Sequence, residues 1–276
     1  MSEDGVQLSH GMHVVHDGSQ QAPPLLLIHG SGASGASWIP MIPALADRHR
    51  VIRIDLPGCG QSPAPASYDV PEQAGRVAAL LDDLGLRQVA VVGHSSGGYL
   101  GTALAEQRPD LVGSLSLIST GPSLDALLPQ PLLLRLLLGP PLGRLIWSMR
   151  SDAWIRSGIR AVTARPVDVP DDLVAGVRSI TYAAFQAVLR QYTAYVAERS
   201  VPERLAALDV PVLAVFGAAD PRWEPSSVHQ YDAVPDARVE VLPGVGHMPL
   251  LEAPDTTSKL LLSFTATGAD TPSPEA

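Results

Sequence analysis

A single cysteine, Cys59, stands in the 276 residues. No intramolecular disulfide can form, so a disulfide framework is excluded. Positive charge is scarce as well: 19 Lys and Arg face 28 Asp and Glu, a formal net charge of −9. Nucleic-acid binders use a basic surface to displace counterions, and anionic membranes attract polybasic segments. Neither partner is expected of an acidic chain, while a small neutral substrate is unaffected by this charge. Long apolar runs are missing too. The N-terminus up to Gly11 carries Glu3 and Asp4 without an apolar stretch, unlike a secretory signal. The most apolar region, Leu124 to Trp147, is broken by Pro129, Pro131, Pro140 and Pro141 and carries Arg135 and Arg144, which does not suit a membrane span. A free thiol with no signal and no span makes the cytoplasm the expected location. No internal repeat is visible, and nothing in the sequence indicates an oligomeric state.

What is present is enough for a sizeable core: 46% of residues are apolar and 17% charged, which excludes disorder of the whole chain. Short apolar runs recur at Met12–His16, Leu25–Ile28, Val51–Ile54, Val89–Val92, Leu115–Ile118, Val212–Phe216 and Val239–Leu242. Runs without polar alternation suit parallel strands covered on both faces. Helical spacing lies between them. Pro71–Leu84 places Ala74, Val77, Ala78 and Leu81 on one stripe, with Gly85 as a stop, and Gly97–Gln107 ends before Pro109. Alternation of this kind predicts an α/β chain with an open, mostly parallel sheet.

Residues 121–199 break the rhythm. They hold no strand-like run and read as several short helices interrupted by prolines. Trp147, Trp154, Tyr182, Phe185, Tyr192 and Tyr195 all lie there. An insertion between the runs at 115–118 and 212–216 is expected to stand above the strand ends as a lid. The core would then comprise 1–120 and 200–265, with a small, polar, disordered tail over 266–276.

Chemistry enters with Gly93-His94-Ser95-Ser96-Gly97, a G-x-S-x-G pattern between a strand and a helix. Such a turn projects a serine hydroxyl at a helix N-terminus, where the macrodipole favours developing negative charge. A serine hydroxyl needs a base, and histidine titrates near working pH. His247, in PGVGHMP, and Asp220, in VFGAADP, each follow a strand-like run. The order Ser95, Asp220, His247 fits a nucleophile, an orienting acid and a base. Asp209 precedes its strand, and Asp232 and Asp236 lie in the following helix and turn. The glycine-rich loop at His29-Gly30-Ser31-Gly32 can aim backbone N–H groups at a carbonyl oxygen. The expected oxyanion donors are Ser31, with Gly32 as the alternative, and Ser96.

These pieces resemble the α/β-hydrolase fold superfamily, in the group of esterases, lactonases and carbon–carbon bond hydrolases. HGSG at 29–32, DLPGCGQS at 55–62, GHSSGG at 93–98, FGAAD at 216–220 and GVGHMPLLEAP at 244–254 carry the resemblance. It implies an eight-stranded sheet with one antiparallel strand, flanking helices, a helical cap over the site and no cofactor. Cys59 departs from many relatives in its turn and is expected to be structural, as are His29 and His94. His10, His13 and His16 would alternate along a strand, placing His13 on the opposite face, so no metal site is expected.

A serine at the nucleophile position points to acyl transfer rather than epoxide opening or halide removal, for which relatives use aspartate. The expected activity is hydrolysis of an ester, thioester or lactone of a small, largely apolar substrate through an acyl-enzyme at Ser95. Trp38, Trp147, Trp154, Tyr182 and Phe185 are the candidate substrate contacts. Two other readings are cleavage of a carbon–carbon bond in a β-diketone-like ring-fission product, which the HGSGASG loop suggests, and a non-catalytic binding protein on the same fold.

Overall fold

The computed structural model describes residues 6–130, 139 and 142–268. Eight strands form one sheet: β1 (Val6–Ser9), β2 (Met12–Asp17), β3 (Pro24–Ile28), β4 (Arg50–Asp55), β5 (Val89–His94), β6 (Val112–Ile118), β7 (Val212–Gly217) and β8 (Arg238–Leu242). Their order is β1-β2-β4-β3-β5-β6-β7-β8. Only β2 runs against the rest, pairing antiparallel with β1 and β4. Seven strands coincide with the apolar runs of the sequence. The eighth, β1, was not anticipated, because four residues of sequence VQLS carry no run. It is joined to β2 through His10 and Gly11, both at positive φ, as a two-residue hairpin with that strand twist requires.

The runs of β3 to β7 lack alternation because both faces of the sheet are covered there, whereas β2 and the edge strand β8 are partly open. Leu26, Ile28, Ile52, Ile54, Val91, Leu115 and Phe216 enter one core cluster, and Leu25, Leu27, Val51, Val92, Leu213 and Val215 enter the other. Two helices cover the first face, α2 (Val70–Asp83) and α3 (Ser96–Gln107). The second face is covered by α1 (Ile42–Ala46) and the C-terminal helix. Asp69 caps α2 by accepting from the Glu72 amide at 3.1 Å. Gly85 ends it as the sequence predicts, with its own amide on Asp82 O and the Leu86 amide on Leu81 O.

Between β6 and β7 the described residues form helices: α4 (Leu142–Ser148), α5 (Asp152–Arg160), α6 (Asp171–Ser179), α7 (Tyr182–Glu198) and α8 (Val201–Leu205). Buried Arg204 joins this segment to α3. Its guanidinium donates to Glu106 Oε1 and Oε2 at 3.2 and 3.1 Å, and Tyr195 Oη donates to the same carboxylate at 2.7 Å. The chain closes with α9 (Pro249–Glu252) and α10 (Pro254–Gly268). The sequence placed a disordered tail from residue 266, but α10 stays helical to Gly268. Residues 269–276, the rest of that expected tail, lie outside the described residues.

The register brings the site together. Ile28 pairs with Gly93, His94 with Ile118, and Gly217 with Leu242. The parallel strands therefore end along one edge of the sheet. β3 leads towards β4 on one side and β5 towards β6 on the other, which opens a crevice between them at the strand ends.

Candidate active site

Ser95 sits at that crevice, between β5 and α3, with φ 53° and ψ −122°. A non-glycine residue in such a conformation is strained and must be held. Three bonds hold it. The Ser95 amide donates to Ile118 O at 2.7 Å, and Ser95 O accepts from the Gly98 amide at 3.0 Å and from Thr120 Oγ1 at 2.9 Å. Glycine is required on both sides because the chains nearly touch. A Cβ on Gly93 would lie 2.4 Å from Gly98 N, and one on Gly97 would lie 2.4 Å from Ile28 O.

Around this turn the structure brings together the three residues singled out from the sequence. His247 Nε2 lies 3.1 Å from Ser95 Oγ, and His247 Nδ1 lies 2.8 Å from Asp220 Oδ2. Asp220 is 3% exposed and His247 5%. Since a carboxylate only accepts, Nδ1 carries the proton and Nε2 is left as an acceptor facing the serine hydroxyl. The other carboxylate oxygen, Oδ1, accepts from the Arg222 amide at 2.8 Å. Such a chain can move the Ser95 proton to His247 while the aspartate stabilises the imidazolium.

The His247 loop is fixed by a group that the sequence did not single out. Glu252, in the LLEAP stretch, is buried, and its carboxylate accepts four backbone amides. Oε2 takes Gly246 at 2.9 Å, Ala164 at 2.7 Å and Arg165 at 3.1 Å, while Oε1 takes Met248 at 3.1 Å. Gly246 and Met248 flank His247, and Ala164 and Arg165 belong to the connection between α5 and α6. The His247 amide itself donates to Val162 O at 2.9 Å. Its carbonyl accepts from His94 Nε2 at 2.9 Å. Position alone could not reveal this role, since half of the donors come from residues nearly ninety positions away.

Both motif histidines are structural in their contacts. The Leu56 amide donates to His29 Nε2 at 2.9 Å, which leaves Nδ1 as the donor to Gly30 O at 2.8 Å. Burial lowers the pKa of His29. Burial, and then the neighbouring His247, lower that of His94 to about 3. Cys59 is buried, and burial raises its thiol to about 12. A protonated, enclosed thiol packed near Ile180 and Ala184 is no nucleophile. Among the described residues, no group of three His, Cys, Asp or Glu side chains could hold a metal ion.

The expected oxyanion loop lies beside α3, but one donor is engaged. The Ser31 amide donates to Ser96 Oγ at 2.7 Å. The aromatic candidates divide. Phe185 reaches the loop, with its ring edge 3.3 Å from where a Cβ on Gly32 would be. Trp147 stacks on Phe185 at 4.6 Å, and Tyr182 meets Trp147 edge-on at 6.1 Å. Trp38 has no exposed surface and packs edge-on to His94 within the core. Trp154 is 45% exposed on α5. Two aromatic residues close to the crevice escaped the sequence argument. Tyr99, on the first turn of α3, meets Tyr192 at 5.9 Å, and the Trp223 ring lies 2.5 Å from where a Cβ on Gly121 would be.

Two outcomes follow from this geometry. Glu252→Ala strands two buried amides, Gly246 and Met248, and two partly buried ones, Ala164 and Arg165, and is expected to cost about 3 kcal/mol of stability. Glu252→Gln, which keeps one acceptor oxygen, costs less, and urea unfolding measures both. Equal stability of wild type and Glu252→Ala would contradict the clamp. The second outcome concerns acid. Folded, His94 stays neutral down to about pH 3, whereas the unfolded chain protonates it near its ordinary 6.5. The unfolded state binds the extra proton between these values, so stability is full above 6.5 and is lost as pH falls. The loss from this group reaches about 2 kcal/mol by pH 5. His94→Gln removes the titration, so its Tm should fall less than that of wild type between pH 7 and 5. Parallel falls would contradict the assignment.

Comparison with known proteins agrees with this architecture. The sequence profile of the alpha/beta hydrolase family matches residues 25–260. The pimeloyl–acyl-carrier-protein methyl ester esterase of Aeromonas hydrophila is 29% identical over 271 residues, covering 88% of this chain and 96% of the esterase. Among solved structures, an N-acyl homoserine lactonase superposes with a TM-score of 0.81 at 20% identity, over 99% of each chain. A bacterial membrane phospholipase A gives 0.78 at 25% identity, over 98% of this chain and 87% of that one. In the described residues of the present chain, no helix is long and apolar enough to cross a membrane. With the eight-stranded sheet and a profile match over most of its length, the chain belongs to the alpha/beta hydrolase family.

Proposed function

We propose that the protein is a serine hydrolase that cleaves an ester, thioester or lactone of a small, largely apolar substrate. One observation carries this reading: Asp220, His247 and Ser95 form an unbroken hydrogen-bonded chain, at 2.8 and 3.1 Å, beneath a helix N-terminus. His247 Nε2 takes the Ser95 proton as Oγ attacks the carbonyl carbon. The carbonyl oxygen becomes an oxyanion held by backbone N–H groups of Ser96 and Ser31, at the positive end of α3. Collapse expels the alcohol or thiol, which leaves with the proton from His247, and an acyl group remains on Ser95. Water then gives a proton to His247, attacks the acyl carbon and releases the acid, and the proton returns to Ser95. Asp220 keeps the proton on Nδ1 throughout and offsets the charge of the imidazolium.

Residues 121–199 serve in this reading as a cap. Phe185, backed by Trp147 and Tyr182, would give the acyl or leaving group an apolar wall beside Gly32. The methyl ester esterase among the similar proteins supports the reaction class without naming the acyl group.

A fluorophosphonate probe should label wild-type protein at Ser95 and leave Ser95→Ala unlabelled. Hydrolysis of short p-nitrophenyl esters should fall about a thousandfold or more in Ser95→Ala. Equal turnover by the two proteins would remove the basis of the reading.

A further inference from the structure

Ser31 and Ser96 supply the backbone N–H groups that the proposed mechanism directs at the substrate oxygen, yet their side chains also meet. The Ser31 amide donates to Ser96 Oγ at 2.7 Å, and Ser31 Oγ lies 2.7 Å from the same atom. An oxyanion donor works on an acceptor about 2.7–3.1 Å away, at the place where charge develops. Ser96 Oγ already occupies an acceptor position of that kind. It stands on the first residue of α3, where backbone amides have no partner within the helix. Ser96 Oγ and a carbonyl oxygen cannot both take the Ser31 N–H in the same place.

We propose that the Ser96 side chain is a built-in plug of the oxyanion site, which an incoming acyl group must displace before the tetrahedral intermediate can form. The proposal rests on the acyl-transfer reading above. Displacement needs only rotation about one staggered side-chain torsion. It exchanges one acceptor on the Ser31 amide for another, so the plug delays the reaction without blocking it. A serine suits this better than a larger residue. Its hydroxyl can accept from the Ser31 amide, exchange a hydrogen bond with the Ser31 hydroxyl, and still swing clear.

Two roles are possible for the pairing, and they predict opposite results. If Ser96 Oγ only straps the Ser31 loop to α3, or donates directly to the oxyanion, its removal slows the reaction. If it is a plug, its removal speeds it. Ser96→Ala leaves the backbone N–H of residue 96 intact, and alanine is well tolerated in a helix. The expected result is labelling of Ser95 by a fluorophosphonate probe about three- to tenfold faster than in wild type, the worth of one hydrogen bond. Ser96→Thr keeps the hydroxyl and should label no faster than wild type. Amide hydrogen exchange at Ser31 gives a readout that needs no turnover: slow in wild type and Ser96→Thr, faster in Ser96→Ala. Labelling of Ser96→Ala at or below the wild-type rate, with an unchanged Tm, overturns the plug. Unaltered Ser31 exchange overturns the pairing itself. The remaining outcome is faster Ser31 exchange in Ser96→Ala with no labelling of any variant. It would show that the pairing exists but that the acyl-transfer reading, and the plug with it, is wrong.

Discussion

The strained turn at Ser95 is the constraint on which the rest of the site depends. A serine with φ 53° does not hold that conformation alone. The end of β6 fixes it through Ile118 O, Thr120 fixes it from just beyond that strand, and the first turn of α3 fixes it through Gly98. The turn can close only because Gly93 and Gly97 leave room for Gly98 N and Ile28 O. Once β3 and α3 are that close, Ser31 is necessarily near Ser96. The hydroxyl of Ser95 is then held at the front of the crevice between β3 and β5. Its strain is a cost borne by the packing around it.

The base is held by a second device, independent of the first. His247 follows an edge strand in a loop containing two glycines, which would wander if left to itself. Its neighbours on both sides are tied to Glu252, its amide to Val162 and its carbonyl to His94. One end of this network is His94, the residue next to Ser95. The other end is the α5–α6 connection, within the helical segment between β6 and β7. That segment therefore contributes to the site directly, because residues 162–165 form part of the support of His247. Few elements here could move without disturbing the histidine, which fits a site that works by fixed geometry.

Much of this was legible from the sequence, and the exceptions have physical reasons. Runs such as VAVV and VLAVF are buried on both faces and could hardly be anything but strands, and the glycines around Ser95 predict a tight strand-to-helix turn. The chain order of Ser95, Asp220 and His247 was readable because each lies just beyond such a run. β1 was missed because a hairpin edge strand needs no apolar run. How far Trp38 and Trp154 would be buried was not legible, because aromatic character says nothing of burial: Trp38 is enclosed beside His94, and Trp154 is exposed on α5. Glu252 and the Ser31–Ser96 pair were invisible for a different reason. Their significance lies in which backbone amides come near them, and only the assembled fold decides that.

The central claim is that Ser95 carries the acyl group between two half-reactions. Rapid-quench mass spectrometry of the protein mixed with a short p-nitrophenyl ester tests it most directly. The account predicts an acyl adduct on the peptide containing Ser95, appearing with the release of p-nitrophenol, decaying as acid is released, and absent in Ser95→Ala. Turnover with no adduct at any quench time, or an adduct on another residue that persists in Ser95→Ala, would contradict it.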